Sequence, residues 1–181
     1  MRISGGKLKG RVWKVPSSLP IRPTTGLAIK GLMNILHHRF NPEGVRALDL
    51  FCGTGQITFE LASRGASQIV SVDKFFLSCR IVQENSLRWN LPVSVIKKEV
   101  MVFIKNYEGN PFDLIFADPP FDWEGYKTLP RLIFEKKMLT KGGWFILEHD
   151  AKKDFSKFEF FIEQRKYGHV CFSIFEYHPY D

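Results

Sequence analysis

A doubly wound α/β fold with a mostly parallel sheet is predicted by three features of this 181-residue chain. The first is alternation. Apolar runs at 45–50, 68–72, 93–97, 112–117 and 143–148 have the length of buried strands, and the stretches between them are helical in length and pattern. The second is the run Leu48-Asp49-Leu50-Phe51-Cys52-Gly53-Thr54-Gly55, a strand entering a glycine turn, followed by a helical stretch at 56–64. The third is Phe112-Asp113-Leu114-Ile115-Phe116-Ala117, an apolar run closed by Asp118-Pro119-Pro120-Phe121. Two prolines cannot continue a sheet ladder, so the chain leaves the sheet there. Aromatic-rich segments at 158–164 and 170–177, separated by Lys166-Tyr167-Gly168, read as a terminal antiparallel pair covering one sheet edge.

The first 42 residues have a different character. Ile3-Ser4 and residues 11–15 flank glycine-rich turn residues, which predicts a small hairpin. Residues 16–23 form an extended connector containing Pro16, Pro20 and Pro23, after which Thr24 or Thr25 caps a helix running to about His38. Leu27, Leu32, Ile35 and Leu36 are its expected buried stripe. Asn41-Pro42-Glu43-Gly44 ends the segment, so the chain divides into a basic extension at 1–42 and a catalytic domain at 43–181.

Charge is concentrated in the extension. No acidic residue precedes Glu43, and Arg2, Lys7, Lys9, Arg11, Lys14, Arg22, Lys30 and Arg39 give +8 against +7 for the whole chain. Trp13 lies among these cations, and the pattern fits an arm that grips phosphate backbones through Arg2, Lys7, Lys9, Arg11, Lys14 and Arg22. The prolines and glycines exclude an amphipathic targeting helix. Deletion of residues 1–20 is therefore expected to leave the catalytic domain folded and its ligand affinity intact.

Composition excludes several other classes. No apolar run approaches the roughly 20 residues of a membrane span, and the amino terminus lacks a signal-peptide core, which predicts a cytoplasmic protein. Cys52, Cys79 and Cys171 are odd in number and widely spaced, so they read as buried thiols. The five histidines show no ligand spacing, and no metal is expected.

The chemistry is concentrated at strand ends. Asp73 closes the second strand, where a carboxylate accepts both hydroxyls of a ribose. A dinucleotide fingerprint requires a third glycine at position 58, which is Thr58, so a nicotinamide cofactor is disfavoured. Asp49 would repel a pyrophosphate but suits a positively charged amino-acid moiety such as that of S-adenosylmethionine. Asp118 and the carbonyls beside it can accept the hydrogens of a planar amine, and Phe121 can stack on its ring. Together these residues point to methyl transfer onto a nucleobase.

The chain resembles the bacterial small-subunit rRNA guanine-N2 methyltransferases of the RsmD family. Arg2-Ile3-Ser4-Gly5-Gly6-Lys7, Gly10-Arg11 and Arg22-Pro23-Thr24-Thr25 look like that family's amino-terminal blocks and make the resemblance specific. Residues 48–55, Arg64-Gly65-Ala66 and Asp118-Pro119-Pro120-Phe121 look like its cofactor and catalytic blocks, while Glu148-His149 and Lys166-Tyr167-Gly168 echo its later ones. The resemblance implies a Rossmann-like class I S-adenosylmethionine-dependent fold, with a guanine of 16S rRNA as target inside an assembling 30S particle. By position, Asp49, Gly53 and Gly55 would contact the methionine part, Asp73 the ribose and Glu99 the adenine, with Phe51 also in the cofactor site. Asp118, Pro119, Pro120 and Phe121 would hold the target base.

Two departures stand out. Gly26 follows Thr25 where the family usually has an aspartate, and Phe75 stands where a second acidic residue is common. The alternatives are a DNA adenine-N6 or cytosine-N4 methyltransferase, since Asp-Pro-Pro-Phe serves any planar exocyclic amine, and a non-catalytic RNA-binding assembly factor.

Overall fold

The computed structural model describes residues 1–19 and 24–179. Its centre is a seven-stranded sheet in the order β3-β2-β1-β4-β5-β7-β6. The strands are β1 (Arg46–Leu50), β2 (Gln68–Asp73), β3 (Val93–Lys97), β4 (Phe112–Ala117), β5 (Leu139–Asp150), β6 (Phe161–Tyr167) and β7 (Val170–Glu176). β1 to β5 pair in parallel, while β7 returns antiparallel to β5 and β6 antiparallel to β7.

Both faces of the sheet are covered, which is why β1 and β4 read as nearly continuous apolar runs. Leu48, Leu50, Ile115 and Ala117 enter one core with residues of α4 (Val100–Lys105) and α5 (Thr128–Glu135). Ala47, Leu114 and Phe116 enter the opposite core with α1 (Gly26–Arg39) and α2 (Gln56–Ser63). This division follows the two-residue period of a strand. The late aromatics Phe155, Phe172, Phe175 and Tyr177 are all buried.

Several elements depart from the sequence-based expectation. β5 begins earlier, at Leu139, and carries a register shift over residues 140–143: Phe112 pairs with Leu139, but Leu114 pairs with Trp144. β6 begins only at Phe161, since Phe160 takes a left-handed conformation (φ 63°) that a strand cannot accommodate. The turn into β7 is Gly168-His169, and Tyr167 belongs to β6. In α1 the buried stripe is Ala28, Ile29, Leu32, Met33 and Leu36, and Leu27 is 68% exposed. Spacings of three and four from Ala28 and Ile29 form one helical face, a pattern that Leu27 does not join. Thr25 caps the helix by accepting the Ala28 N–H at 3.3 Å, so capping is kept with Gly26 in the next position.

The amino-terminal hairpin is docked firmly. Its strands meet at a single bridge, Arg2 with Val12, and the Ile3 N–H donates to the Arg11 carbonyl at 2.9 Å. Buried Glu60 of α2 accepts the Ser4 N–H at 2.7 Å and the Ser4 hydroxyl at 3.0 Å, and pairs with Arg64. Lys7 N–H donates to the Ser63 carbonyl at 2.7 Å. Gly6 is required at this contact: its φ is +76°, and a Cβ there would lie 2.1 Å from the Ser63 oxygen.

Two expectations about this segment are corrected. Trp13 is 4% exposed and packs edge-on against Phe59 and Trp89, while its indole N–H donates to the Thr54 carbonyl at 2.9 Å. It belongs to the core and offers no ring to RNA. Ile3, Trp13 and Leu19 form one cluster with Cys52, Phe59, Ile81 and Val82, so deleting the segment would expose the helices beneath it. Arg2, Lys7, Lys9, Arg11 and Lys14 are nevertheless all exposed, and no ion pair among the described residues uses them. Arg22 lies outside the described residues.

Cys52, Cys79 and Cys171 are buried free thiols. Among the described residues no helix is long and apolar enough to cross a membrane.

Candidate active site

Strand order reverses between β1 and β4, with β2 and β3 lying beyond β1. In an open α/β sheet this leaves a crevice at the carboxyl ends of the strands. A cavity of about 680 Å³ lies there, lined by residues at or just beyond the carboxyl ends of β1, β2, β3 and β4 and near that end of β5.

One end of the cavity is formed after β1, β2 and β3. Phe51 lines it in a left-handed conformation (φ 60°), with its ring edge-on to Trp123 at 5.0 Å. Such a conformation in a residue other than glycine costs energy and tends to be kept at functional sites. Asp73 also lines the cavity. One of its oxygens accepts the Gly53 N–H and the other the Phe75 N–H, both at 2.9 Å. Burial raises its pKa against the opposing pull of these donors. A carboxylate has about four acceptor positions, so capacity for ligand hydroxyls remains. Glu99 caps α4 by accepting the Val102 N–H at 2.9 Å and lines the same end of the cavity.

The remaining residues of the glycine turn stand behind this wall. Asp49 is 1% exposed and accepts a hydrogen bond from the Thr58 hydroxyl at 2.6 Å; burial pushes its pKa up to about 7. Thr58 also lies 2.7 Å from the Ser71 hydroxyl, so the position where a dinucleotide fold needs glycine is a buried hydrogen-bond junction. Gly55 turns the chain into α2 with φ +84°, and a Cβ on it would come within 2.8 Å of the Phe59 ring. Asp49, Gly53 and Gly55 are not in the cavity lining. Their contacts fix the loop that carries Phe51.

The other end is formed after β4. Asp118, Pro119, Pro120 and Phe121 all line the cavity, and Phe121 is 36% exposed at its mouth. The Pro119 carbonyl accepts the Tyr126 hydroxyl at 2.9 Å. Lys153 Nζ donates to the Phe121 carbonyl at 2.9 Å and fixes the turn from outside. The turn between β6 and β7 adds Gly168 and His169 to the lining, beside Thr24, Thr25 and Leu27.

Glu148 has no functional role assigned from the sequence, yet it lies at the centre of this end. Ala117 pairs with Leu147, so the next residues along, Asp118 and Glu148, stand side by side. The Thr24 hydroxyl lies 2.9 and 3.1 Å from the two Glu148 oxygens and 3.5 Å from Asp118 Oδ2. Burial pushes the pKa of Glu148 to about 7. Burial, then the charges of Glu148 and Asp49, push Asp118 well above the usual carboxylate range. Two buried carboxylates this close resist ionising together. Neighbouring His149 takes no part: its ring nitrogens meet the Asp150 carbonyl at 2.7 Å and the Ser173 hydroxyl at 2.8 Å. The signal for Glu148 was its position, since it lies near the carboxyl end of a strand parallel to β4 at the height of Asp118.

The model of the family described as "Conserved hypothetical protein 95" matches residues 1–176. The "Putative rRNA methyltransferase YlbH" of Bacillus subtilis is 32% identical over 161 residues, covering 84% of each chain. The "Ribosomal RNA small subunit methyltransferase D" of Buchnera aphidicola is 29% identical over 155 residues, covering 83% of this chain and 78% of that one. The solved structure of the Thermus hypothetical protein TTHA0928 is 29% identical, with a TM-score of 0.85 over 98% of this chain and 99% of that chain. The chain therefore belongs to the conserved hypothetical protein 95 family, the RsmD family of rRNA methyltransferases that its amino-terminal blocks resemble.

Proposed function

We infer that this protein transfers a methyl group from S-adenosylmethionine to the exocyclic N2 amine of a guanine in small-subunit rRNA, within an assembling 30S particle in the cytoplasm. The observation that carries this reading is one cavity at the switch point with Asp73 at one end and Asp118-Pro119-Pro120-Phe121 at the other. S-adenosylmethionine, when bound, supplies an electrophilic methyl group on a cationic sulfur. The residues fit such a molecule: Asp73 retains acceptor capacity for ribose hydroxyls, Phe51 and Phe75 offer apolar contact, and the carboxylates suit a cation better than a phosphate.

The protein's part is mainly positioning. Phe121 holds the plane of the base at the mouth. Asp118 and the Pro119 carbonyl accept the amine hydrogens, which turns the nitrogen lone pair toward the methyl donor. As nitrogen gains its new bond, positive charge develops on it, and the adjacent carboxylate stabilises that charge and takes the proton the nitrogen releases. The amine of a paired guanine is occupied, so the base must be unpaired or flipped, at a cost of a few kcal/mol unless the RNA presents it in a loop.

The reading is tested by incubating small-subunit particles that lack the modification with the protein and S-adenosylmethionine, then mapping the label. Asp73→Ala is expected to weaken S-adenosylmethionine binding at least tenfold by calorimetry, with transfer at saturating cofactor changed far less. An unchanged dissociation constant would remove Asp73 from the cofactor site. Absence of any binding by the intact protein would favour a non-catalytic assembly factor.

The exposed cations of the hairpin serve the RNA. Phosphate contacts release counterions, so affinity for the particle should fall steeply with salt. Replacing Lys7, Lys9 and Arg11 together with glutamine, which leaves the buried anchors untouched, should make the slope of log affinity against log salt shallower by about 2. Identical slopes would assign these cations to a solvated face.

A further inference from the structure

The edge of guanine that carries the target amine presents three hydrogens side by side, two on N2 and one on N1. A closed site must meet all three, because a donor buried without an acceptor loses the full cost of its desolvation. Asp118 and the Pro119 carbonyl provide two acceptors, and one lone pair of that carbonyl is already committed to Tyr126. When these two groups are turned on the two amine hydrogens, the N1–H falls to an acceptor standing beside Asp118.

Glu148 occupies that place. It lines the cavity, is 3% exposed and stands beside Asp118 across the β4–β5 register. Among the described residues, the only hydrogen-bond donor to either carboxylate is the single hydroxyl of Thr24. Two carboxylates with about four acceptor positions each thus share one hydrogen, an imbalance that is costly without a ligand rich in donors. The N1–H and N2 hydrogens of guanine correct it. Adenine and cytosine present a bare ring nitrogen beside the amine, whose lone pair would face a carboxylate lone pair.

We propose that Glu148 is a specificity-determining residue that accepts the N1–H of the target guanine, so that the enzyme selects bases with a donor beside the amine it methylates. This rests on the reading of guanine N2 as the acceptor amine. A site built to accept a substrate hydrogen rejects an analogue lacking it strongly, because its own polar group is then left unpaired.

2-Aminopurine separates the two features of the edge, since it keeps the 2-amine but carries an unprotonated N1. Particles reconstituted with rRNA bearing guanine or 2-aminopurine at the methylated position, once mass mapping has located it, would be compared under single-turnover conditions. The wild-type protein should prefer guanine by about 10³-fold or more. Glu148→Gln, whose amide offers both an acceptor and donors, should reduce that preference at least tenfold. If both substrates slow equally in the variant, Glu148 is only structural and the proposal fails. The wild-type ratio decides the matter even if the variant does not fold, because equal rates on the two bases would overturn the proposal alone. A wild-type protein that labels no rRNA guanine would overturn the functional reading as well.

Discussion

Asp118→Ala is expected to slow single-turnover methyl transfer by about 10²–10⁴-fold, the range for removing a positioned proton acceptor. S-adenosylmethionine affinity should stay within a few-fold of wild type. The two effects separate because Asp118 lies beside Glu148 and Thr24, while the cofactor-side contacts gather around Asp73. The wild-type rate should also depend on pH near neutrality. Burial pushes Glu148 to about 7 and raises its neighbour Asp118, so the pair takes up a proton as pH falls toward 7. In the proposed arrangement only the ionised pair accepts all the amine and ring hydrogens. Activity should therefore be lost below about pH 7, well above the range in which an exposed carboxylate would protonate. A variant that transfers at the wild-type rate, or a flat profile from pH 5 to 8, would exclude Asp118 from the amine-orienting role.

Trp13→Ala should destabilise the protein by about 3–5 kcal/mol, the usual cost of removing a large buried aromatic side chain. Domains are stable by only about 5–15 kcal/mol, so this is a large share. The effect should extend to cofactor affinity, because the Trp13 indole donates to the Thr54 carbonyl within the loop Phe51 begins. Removal of residues 1–19 takes Ile3, Trp13 and Leu19 together and is expected to abolish cooperative unfolding. Urea denaturation of both variants checks this. A truncated chain with an unchanged midpoint would mean that the hairpin only rests on the domain.

The parts of the molecule that were legible in the sequence are those governed by local signals. The strands β1 to β4 carry apolar runs bounded by glycine, proline or an acidic residue, and Asp118-Pro119 marks where the chain must leave the sheet. The helix cap was readable as Thr24 or Thr25, and Thr58 as a break in the dinucleotide pattern. What was not legible depends on contacts distant in sequence. Trp13 looks like an interleaved aromatic among cations until Phe59 and Trp89 close on it. Glu148 is one more acid near the end of an apolar run until β4–β5 pairing sets it beside Asp118. In α1, Leu32 and Leu36 are buried as expected, but Leu27 is not, because Ala28, a small residue, carries the face at that turn.

Whether one cavity brings a methyl donor and a guanine amine together can be read by mass mapping of rRNA. Small-subunit particles from cells lacking the protein would be incubated with the purified protein and S-adenosylmethionine, and their rRNA digested and compared with untreated particles. One guanine should gain a methyl group on N2, and none should when Asp118→Ala replaces the wild-type protein. No gain in mass, or a methyl group on a different base or a different guanine atom, would contradict it.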